Sequence, residues 1–198
     1  MDADVIVVGA GLAGLVATGE LIDAGRKVIL VDQENSNNIG GQAFWSFGGL
    51  FFVDSPEQRR MGIKDSYDLA LQDWMGTAGF DRDIEDRWPR RWAQAYVEFA
   101  AGGEARLARA ARPEDLPDGQ LGRTRRLRRR RTRQFGAPRF HITWGTGPGL
   151  VEIFARKALA AAERGLVTFR HRHRVDELIV TDGAVTGVRG TVLEPTDA

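Results

Sequence analysis

Residues 4–14, Asp4-Val5-Ile6-Val7-Val8-Gly9-Ala10-Gly11-Leu12-Ala13-Gly14, decide the fold. An apolar run enters a turn carrying Gly9, Gly11 and Gly14, and a helical pattern opens near Leu12. The next apolar run, Val28 to Val31, closes on Asp32. Strand, glycine turn, helix, strand and acid in that order form the dinucleotide-binding fingerprint in the context that makes it specific. Each part has its own physical task. Gly9 allows the tight turn out of the strand, Gly11 lets a pyrophosphate approach bare backbone, and Gly14 lets the helix lie close to the sheet. The helix then directs its free N–H groups and positive dipole end at the phosphates. Asp32 is placed to accept hydrogen bonds from the ribose hydroxyls of the adenosine half.

At 198 residues the chain is long enough for one domain with a proper core. Its apolar fraction of 42% and charged fraction of 28% are those of a globular protein, which excludes disordered and fibrous classes. No apolar stretch is long enough to span a bilayer, and the first strand lacks the basic leader and cleavage site of a signal peptide. With no cysteine there is no disulfide, thiolate metal site or cysteine nucleophile, and a cytoplasmic location is expected.

Leu12 to Ala24 reads as the first helix, ended by Gly25. Gln33 to Gly49 reads as a loop. Pro56-Glu57 suits a helix start, with apolar positions for one or two helices before Gly76. Pro89 to Ala101 is a further helix whose Trp92, Tyr96 and Phe99 share one face and are expected to be core rather than a cofactor box. Ala137 to Gly149 reads as a loop and Leu150 to Arg164 as an amphipathic helix. Gly165 to Arg170 and Arg174 to Val180 are strands, and after the turn dipeptide Asp182-Gly183 a third strand spans Ala184 to Val192. That tail fits a small β-meander crossing a Rossmann-type sheet, which is expected to be unfinished where the chain stops.

A second glycine cluster, Asn35 to Gly49, frames Gln42 and Ser46 between two Gly-Gly pairs and encloses Ala43-Phe44-Trp45. Backbone there can pass close to a flat, phosphate-bearing ligand with N–H groups as donors, so the segment is expected to form a second wall of a cofactor pocket.

The Gly9–Gly14 turn, Asp32 and the Gly40–Gly49 loop together resemble the fumarate reductase/succinate dehydrogenase flavoprotein superfamily, most closely its bacterial dehydrogenases similar to 3-oxosteroid 1-dehydrogenase. Phe140 to Gly149 and Arg174-Val-Asp-Glu-Leu178 resemble the same family, so the likeness extends over the chain except 103–136. It implies an α/β fold: an incomplete Rossmann-type FAD-binding domain with a first βαβ unit and glycine loops (1–55), a helical insertion (56–102), a basic segment (103–136) and a helix plus small β-meander (137–198). Gly9, Gly11 and Gly14 would hold the FAD pyrophosphate and Asp32 the adenosine ribose. Gly41, Gln42, Ser46, Gly48 and Gly49 would line the flavin side, and Val175 would meet the adenine through its backbone. No histidine stands in the second loop, so FAD is expected to bind non-covalently. The implied reaction is dehydrogenation at a CH–CH bond, with hydride passing to flavin N5 from a small substrate such as a 3-oxosteroid or a dicarboxylate. The family's proton-transfer residues would lie beyond this chain, so the resemblance assigns no catalytic residue here.

The near-neutral total charge conceals segment 103–136, where eleven arginines face four acids, a net +7. Arg123 to Arg133 has the composition of a nucleic-acid-binding arm, which salt-dependent retention on DNA would reveal, or of a solvated loop. A third reading fits better, and no nucleic-acid partner is expected. The stretch has the composition of a GC-rich gene translated out of frame, and suitable codons read one nucleotide later restore a continuation like that of the dehydrogenases. Resequencing the gene checks this. Two further alternatives stand beside the flavoenzyme: a nicotinamide-linked dehydrogenase, since Asp32 suits NAD as well, and an inactive truncated product. His141 is read either as a group near the flavin or substrate or as a hydrogen-bonded structural residue, while His171 and His173, set among arginines, are not expected to bind metal. Thr146-Gly147-Pro148-Gly149 fits anion binding and ordinary helix capping equally well.

Overall fold

A computed structural model describes residues 3–102, 120–121, 137–143 and 145–196. In chain order the elements are β1 (Val5–Val8), α1 (Leu12–Asp23), β2 (Val28–Val31), β3 (Gly49–Phe51), α2 (Pro56–Arg60), α3 (Tyr67–Ala78), α4 (Arg87–Gly102), β4 (Gln120–Leu121), β5 (Phe140–Ile142), α5 (Thr146–Glu163), β6 (Val167–Arg170), β7 (His173–Thr181) and β8 (Ala184–Val192). Short 3-10 turns occupy Ser36–Asn38 and Gly41–Trp45. The chain divides into two units, residues 1–48 with 145–198, and residues 49–144. The arginine run 123–133, and with it the frame-shift and nucleic-acid readings, lies outside the described residues.

In the first unit, β1 and β2 pair in parallel, with Val5 opposite Val28 and Val8 opposite Val31. Parallel neighbours need a crossover, and α1 supplies it. On its other edge β2 pairs in parallel with β6, Val28 opposite Val167, so the strand order is β1-β2-β6. Helix α1 starts after Gly11, whose extended backbone serves as N-cap, and stops at Asp23 before Gly25 turns at φ 72°. Val28, Leu30 and Val167 from the sheet bury against Ile22 of α1 and Ala161 of α5. Each such aliphatic side chain withdrawn from water is worth roughly 1.5–3 kcal/mol. The strand expected over 165–170 belongs to this parallel sheet, and β7 and β8 form a separate antiparallel ribbon. Asp182 (φ 51°) and Gly183 (φ 80°) make its turn, both in the left-handed region that a two-residue hairpin requires. Helix α5 begins at Thr146, four residues before the expected start at Leu150, because Gly145 turns into it at φ 80°.

The second unit holds the antiparallel sheet β3-β5-β4 and helices α2 to α4. The segment expected as a loop over 137–149 therefore contains a strand, β5, paired with β3 through Leu50 and His141. Ser55 caps α2 with a full capping box: its Oγ accepts from the Gln58 N–H, and Gln58 Oε1 accepts from the Ser55 N–H at 2.7 Å. Helix α3 passes through Gly76, where the sequence suggests an end, and stops two residues later before Gly79 at φ 64°.

One core expectation is overturned. The α4 face that packs inward carries Ala93, Val97 and Ala100, which join Val53 and Ala70 in the core. Trp92 is 73% exposed and Phe99 46%, and only Tyr96 leans inward, against Phe51 and Trp74 at 5.8 and 5.3 Å between ring centroids. Positions 92, 96, 99 and 93, 97, 100 have the same helical spacing. Small side chains on the second stripe let α4 approach its neighbour closely, and the bulky stripe is left outward.

Candidate functional site

The ends of β1, β2 and β6 meet the glycine turn in the first unit. Gly9 leaves β1 at φ 99° and donates its N–H to Val31 O at 2.7 Å. A Cβ on Gly14 would run into the Gly9 carbonyl, so close helix–strand packing requires glycine there. A Cβ on Gly11 would meet open space: nothing of the first turn of α1 crowds that position. Ala10 is the knot of the site. Its N–H donates to Asp32 Oδ2, and its carbonyl accepts from the Gly40 N–H at 2.8 Å. The two glycine clusters are thus hydrogen-bonded to each other, and Gly11 and Gly40 pair as an isolated parallel bridge.

Asp32 Oδ1 also accepts from the Glu34 N–H, at 2.7 Å. A carboxylate has about four acceptor positions. Two are taken by the backbone, which fixes its orientation and leaves capacity for hydroxyl donors. The Asp32 N–H donates to Arg170 O and its carbonyl accepts from the His173 N–H, both at 2.9 Å. Parallel pairing of β2 with β6 therefore brings the β6–β7 turn, some 140 residues away in sequence, beside the acid.

Between these segments lies a cleft of about 600 Å³. Of the residues singled out from the sequence, Gly9, Asp32, Gly41, Gln42 and Val175 line it. A Cβ on Gly41, at φ 51°, would come within ordinary contact of Gly11. Gly11 and Gly14 are not among the cleft's lining residues. Ser46 is used inside its own loop: its Oγ donates to Ala43 O at 2.7 Å and accepts from the Gly48 N–H at 3.0 Å. Gly48 turns at φ 64° in the same loop. Gly49 begins β3 in the second unit, where the Phe140 ring fills the place a Cβ would take.

Glu34, Asn37, Asn38, Phe44, Trp45 and His173 also line the cleft. Phe44 and Trp45 meet edge to face at 5.4 Å. Both were legible as part of an aromatic loop, whereas nothing local in the sequence marks Glu34 or His173. Hairpin residue Asp176 takes hydrogen bonds from Arg174 and Thr191, which, with the Arg174 charge, outweigh slight burial and hold its carboxyl below the usual range.

The start of α5 is closed by protein. Gly147 donates its N–H to Ser46 O at 2.9 Å, and a Cβ there would strike the carbonyls of Ala43, Phe44 and Ser46. Of the two readings of 146–149, helix capping is the one these contacts support, with the Ser46 carbonyl taking the Gly147 N–H.

His141 belongs to the second unit and is buried. Its Nδ1 donates to Arg139 O at 2.8 Å, because a carbonyl only accepts, and its Nε2 is hydrogen-bonded to the Ser55 hydroxyl at 2.7 Å. Beside it Arg139 clamps Asp65 through Nε and Nη2, at 2.8 and 2.6 Å, and reaches Asp73 through Nη1 at 2.8 Å. This is the structural reading of His141.

A bare turn, an oriented acid and a long cleft fit a nucleotide with two phosphates. Residues 4–197 match the FAD binding domain family. The chain belongs to that family. FAD is accordingly its cofactor, and the nicotinamide alternative falls. A KsdD-like steroid dehydrogenase of Mycolicibacterium smegmatis is 62% identical over 200 residues, covering 100% of this chain and 35% of that protein. Another, from Mycobacterium tuberculosis, is 59% identical over 198 residues, covering 100% and 34%. The chain thus spans about a third of the length of these relatives. Among solved structures, 3-ketosteroid-Δ4-(5α)-dehydrogenase from Rhodococcus jostii RHA1, in complex with 4-androstene-3,17-dione, superposes with a TM-score of 0.71 at 22% identity. That match covers 96% of this chain and 42% of the other, and it establishes the shared fold. No helix among the described residues is long and apolar enough to cross a membrane.

Proposed function

We propose that this chain is the cofactor-holding portion of an FAD-dependent dehydrogenase that acts on a CH–CH bond of a 3-oxosteroid. The observation that carries the reading is the glycine-walled cleft of the first unit, with Asp32 tied to Ala10 at its edge. The 62% identity to a KsdD-like steroid dehydrogenase supports a steroid substrate over a dicarboxylate. FAD supplies the acceptor for hydride removal.

The chain's own residues bind and orient. Gly11 and the first turn of α1 offer N–H donors and the positive helix end to the pyrophosphate, with Gly9 shaping the turn beneath it and Gly14 keeping that helix in place. Asp32 accepts from the adenosine ribose, and Val175 presents its backbone to the adenine. Gly41, Gln42, Ser46, Gly48 and Gly49 line the flavin side, the Ser46 hydroxyl holding the loop in shape. The loop from Gly40 to Gly49 contains no histidine, and the flavin is held non-covalently. A cysteine-free chain suits the cytoplasm, where we place it.

The test is uptake of FAD by the purified chain, followed by quenching of flavin fluorescence. Saturable binding is expected, with all of the flavin released into the supernatant on acid precipitation. A colourless protein that takes up no FAD overturns the reading. This chain extended to its relatives' full length should reduce an electron-accepting dye with 3-oxosteroids and not with succinate.

A further inference from the structure

Arg172 is a non-glycine residue in the left-handed region, at φ 60° in the turn between β6 and β7. A side chain there strains the backbone, so the surrounding structure must hold it. What holds it is a set of main-chain ties. Its N–H donates to Glu34 O at 3.1 Å, and its carbonyl accepts from the Leu193 N–H at 2.7 Å. The guanidinium donates from Nε to Glu194 O at 2.8 Å and from Nη1 to Gln33 O at 3.1 Å. One side chain therefore joins three segments: the loop after β2, the β6–β7 turn and the stretch after β8.

Two of those segments are walls of the cleft. Asp32, Gln33 and Glu34 of the first and His173, Arg174 and Val175 of the second line it together. Parallel pairing ends at Val31 opposite Arg170, so beyond that point the ladder no longer fixes the separation of the walls. The remaining main-chain links there run through Asp32, to Arg170 and His173, and through Arg172 itself. A guanidinium is suited to the task, because its planar fork serves two carbonyls at once and keeps its charge at every working pH.

We infer that Arg172 is a positioning residue for the adenosine half of the cofactor, holding these two lining segments together from outside the cleft without touching the nucleotide. The inference rests on the cleft being the FAD site, as proposed above. Arg172→Gly removes the guanidinium while relaxing the backbone, since glycine adopts φ 60° freely. Arg172→Lys keeps the charge and stem and loses the fork.

The experiment measures ADP, FAD and FMN binding by calorimetry on the full chain, with the ligand-free fold checked by circular dichroism. The glycine variant should keep the wild-type spectrum and bind ADP and FAD each about tenfold more weakly. FMN, which has no adenosine, should bind both proteins alike. The lysine variant should recover part of the loss. Unchanged ADP affinity in the glycine variant overturns the inference, and so does a parallel loss for all three ligands with the spectrum intact. Should the glycine variant not fold, the lysine variant decides: ADP binding about threefold weaker supports the role, and wild-type binding refutes it. A wild-type chain that binds neither FAD nor ADP refutes the site itself and this inference with it.

Discussion

A Cβ on Gly14 would fall upon the Gly9 carbonyl oxygen, inside any van der Waals contact. Gly14→Ala therefore pushes α1 away from β1, and urea denaturation should register a loss of about 1–3 kcal/mol together with FAD affinity. The role of this glycine was legible because its spacing from Gly9 and Gly11 encodes the turn. Arg139 was not legible, because its partners Asp65 and Asp73 lie 74 and 66 residues away and only the fold brings them together. Burial pushes the Asp65 carboxyl up, but hydrogen bonds from Arg139 and Gln58, the Arg139 charge and the Ser66 N–H outweigh it and hold the group below its ordinary 3.8. A carboxyl lowered in the folded state lends stability that is complete above its unfolded pKa of about 3.9 and lost as pH falls through the folded value. Denaturation midpoints of the second unit should thus drop below about pH 4, and Asp65→Asn should flatten that drop. Arg139→Leu, which strands two carboxylates, should destabilise the unit by about 3–5 kcal/mol at pH 7.

Among elements, α4 separates what a periodic pattern carries from what it lacks. Its existence follows from the spacing of apolar residues, but two adjacent stripes share that spacing and the pattern alone does not choose between them. The larger residues lost. Val97 is fully buried and Trp92 is 73% exposed. Val97→Ala should cost about 1–2 kcal/mol in thermal or urea unfolding, and Trp92→Gln should stay within about 0.5 kcal/mol of the parent. Equal losses at the two positions would mean that Trp92 is covered in solution. The reverse holds for β1, α1 and β2, where strand, turn, helix and acid agree locally and were readable to within a residue or two. Strand β5 escaped notice because three residues, Phe140–Ile142, are too few to display alternation.

For the whole molecule, the division into two units predicts where the cofactor is felt. FAD at a hundredfold its dissociation constant adds about 2.7 kcal/mol to whatever folds with it. Amide hydrogen exchange should slow most in residues 1–48 and 145–198, with the strongest protection at the glycine turn, Asp32 to Glu34 and the β6–β7 turn, and protection confined to 49–144 would contradict the assignment of the cleft. The sequence disclosed the chemistry of this unit and not its assembly, since β6 joins β2 across 136 residues that carry no local sign of the pairing. The sheet has one more consequence. In the order β1-β2-β6 the first strand is bonded on a single side among the described strands, and Ile6 and Val8 are 38% and 53% exposed. Such a rim is a ready template for a second molecule. Concentrated solutions should scatter light increasingly with time, and Ile6→Lys, which adds charge at the rim, should delay that coalescence without altering the hue of the flavin-loaded protein.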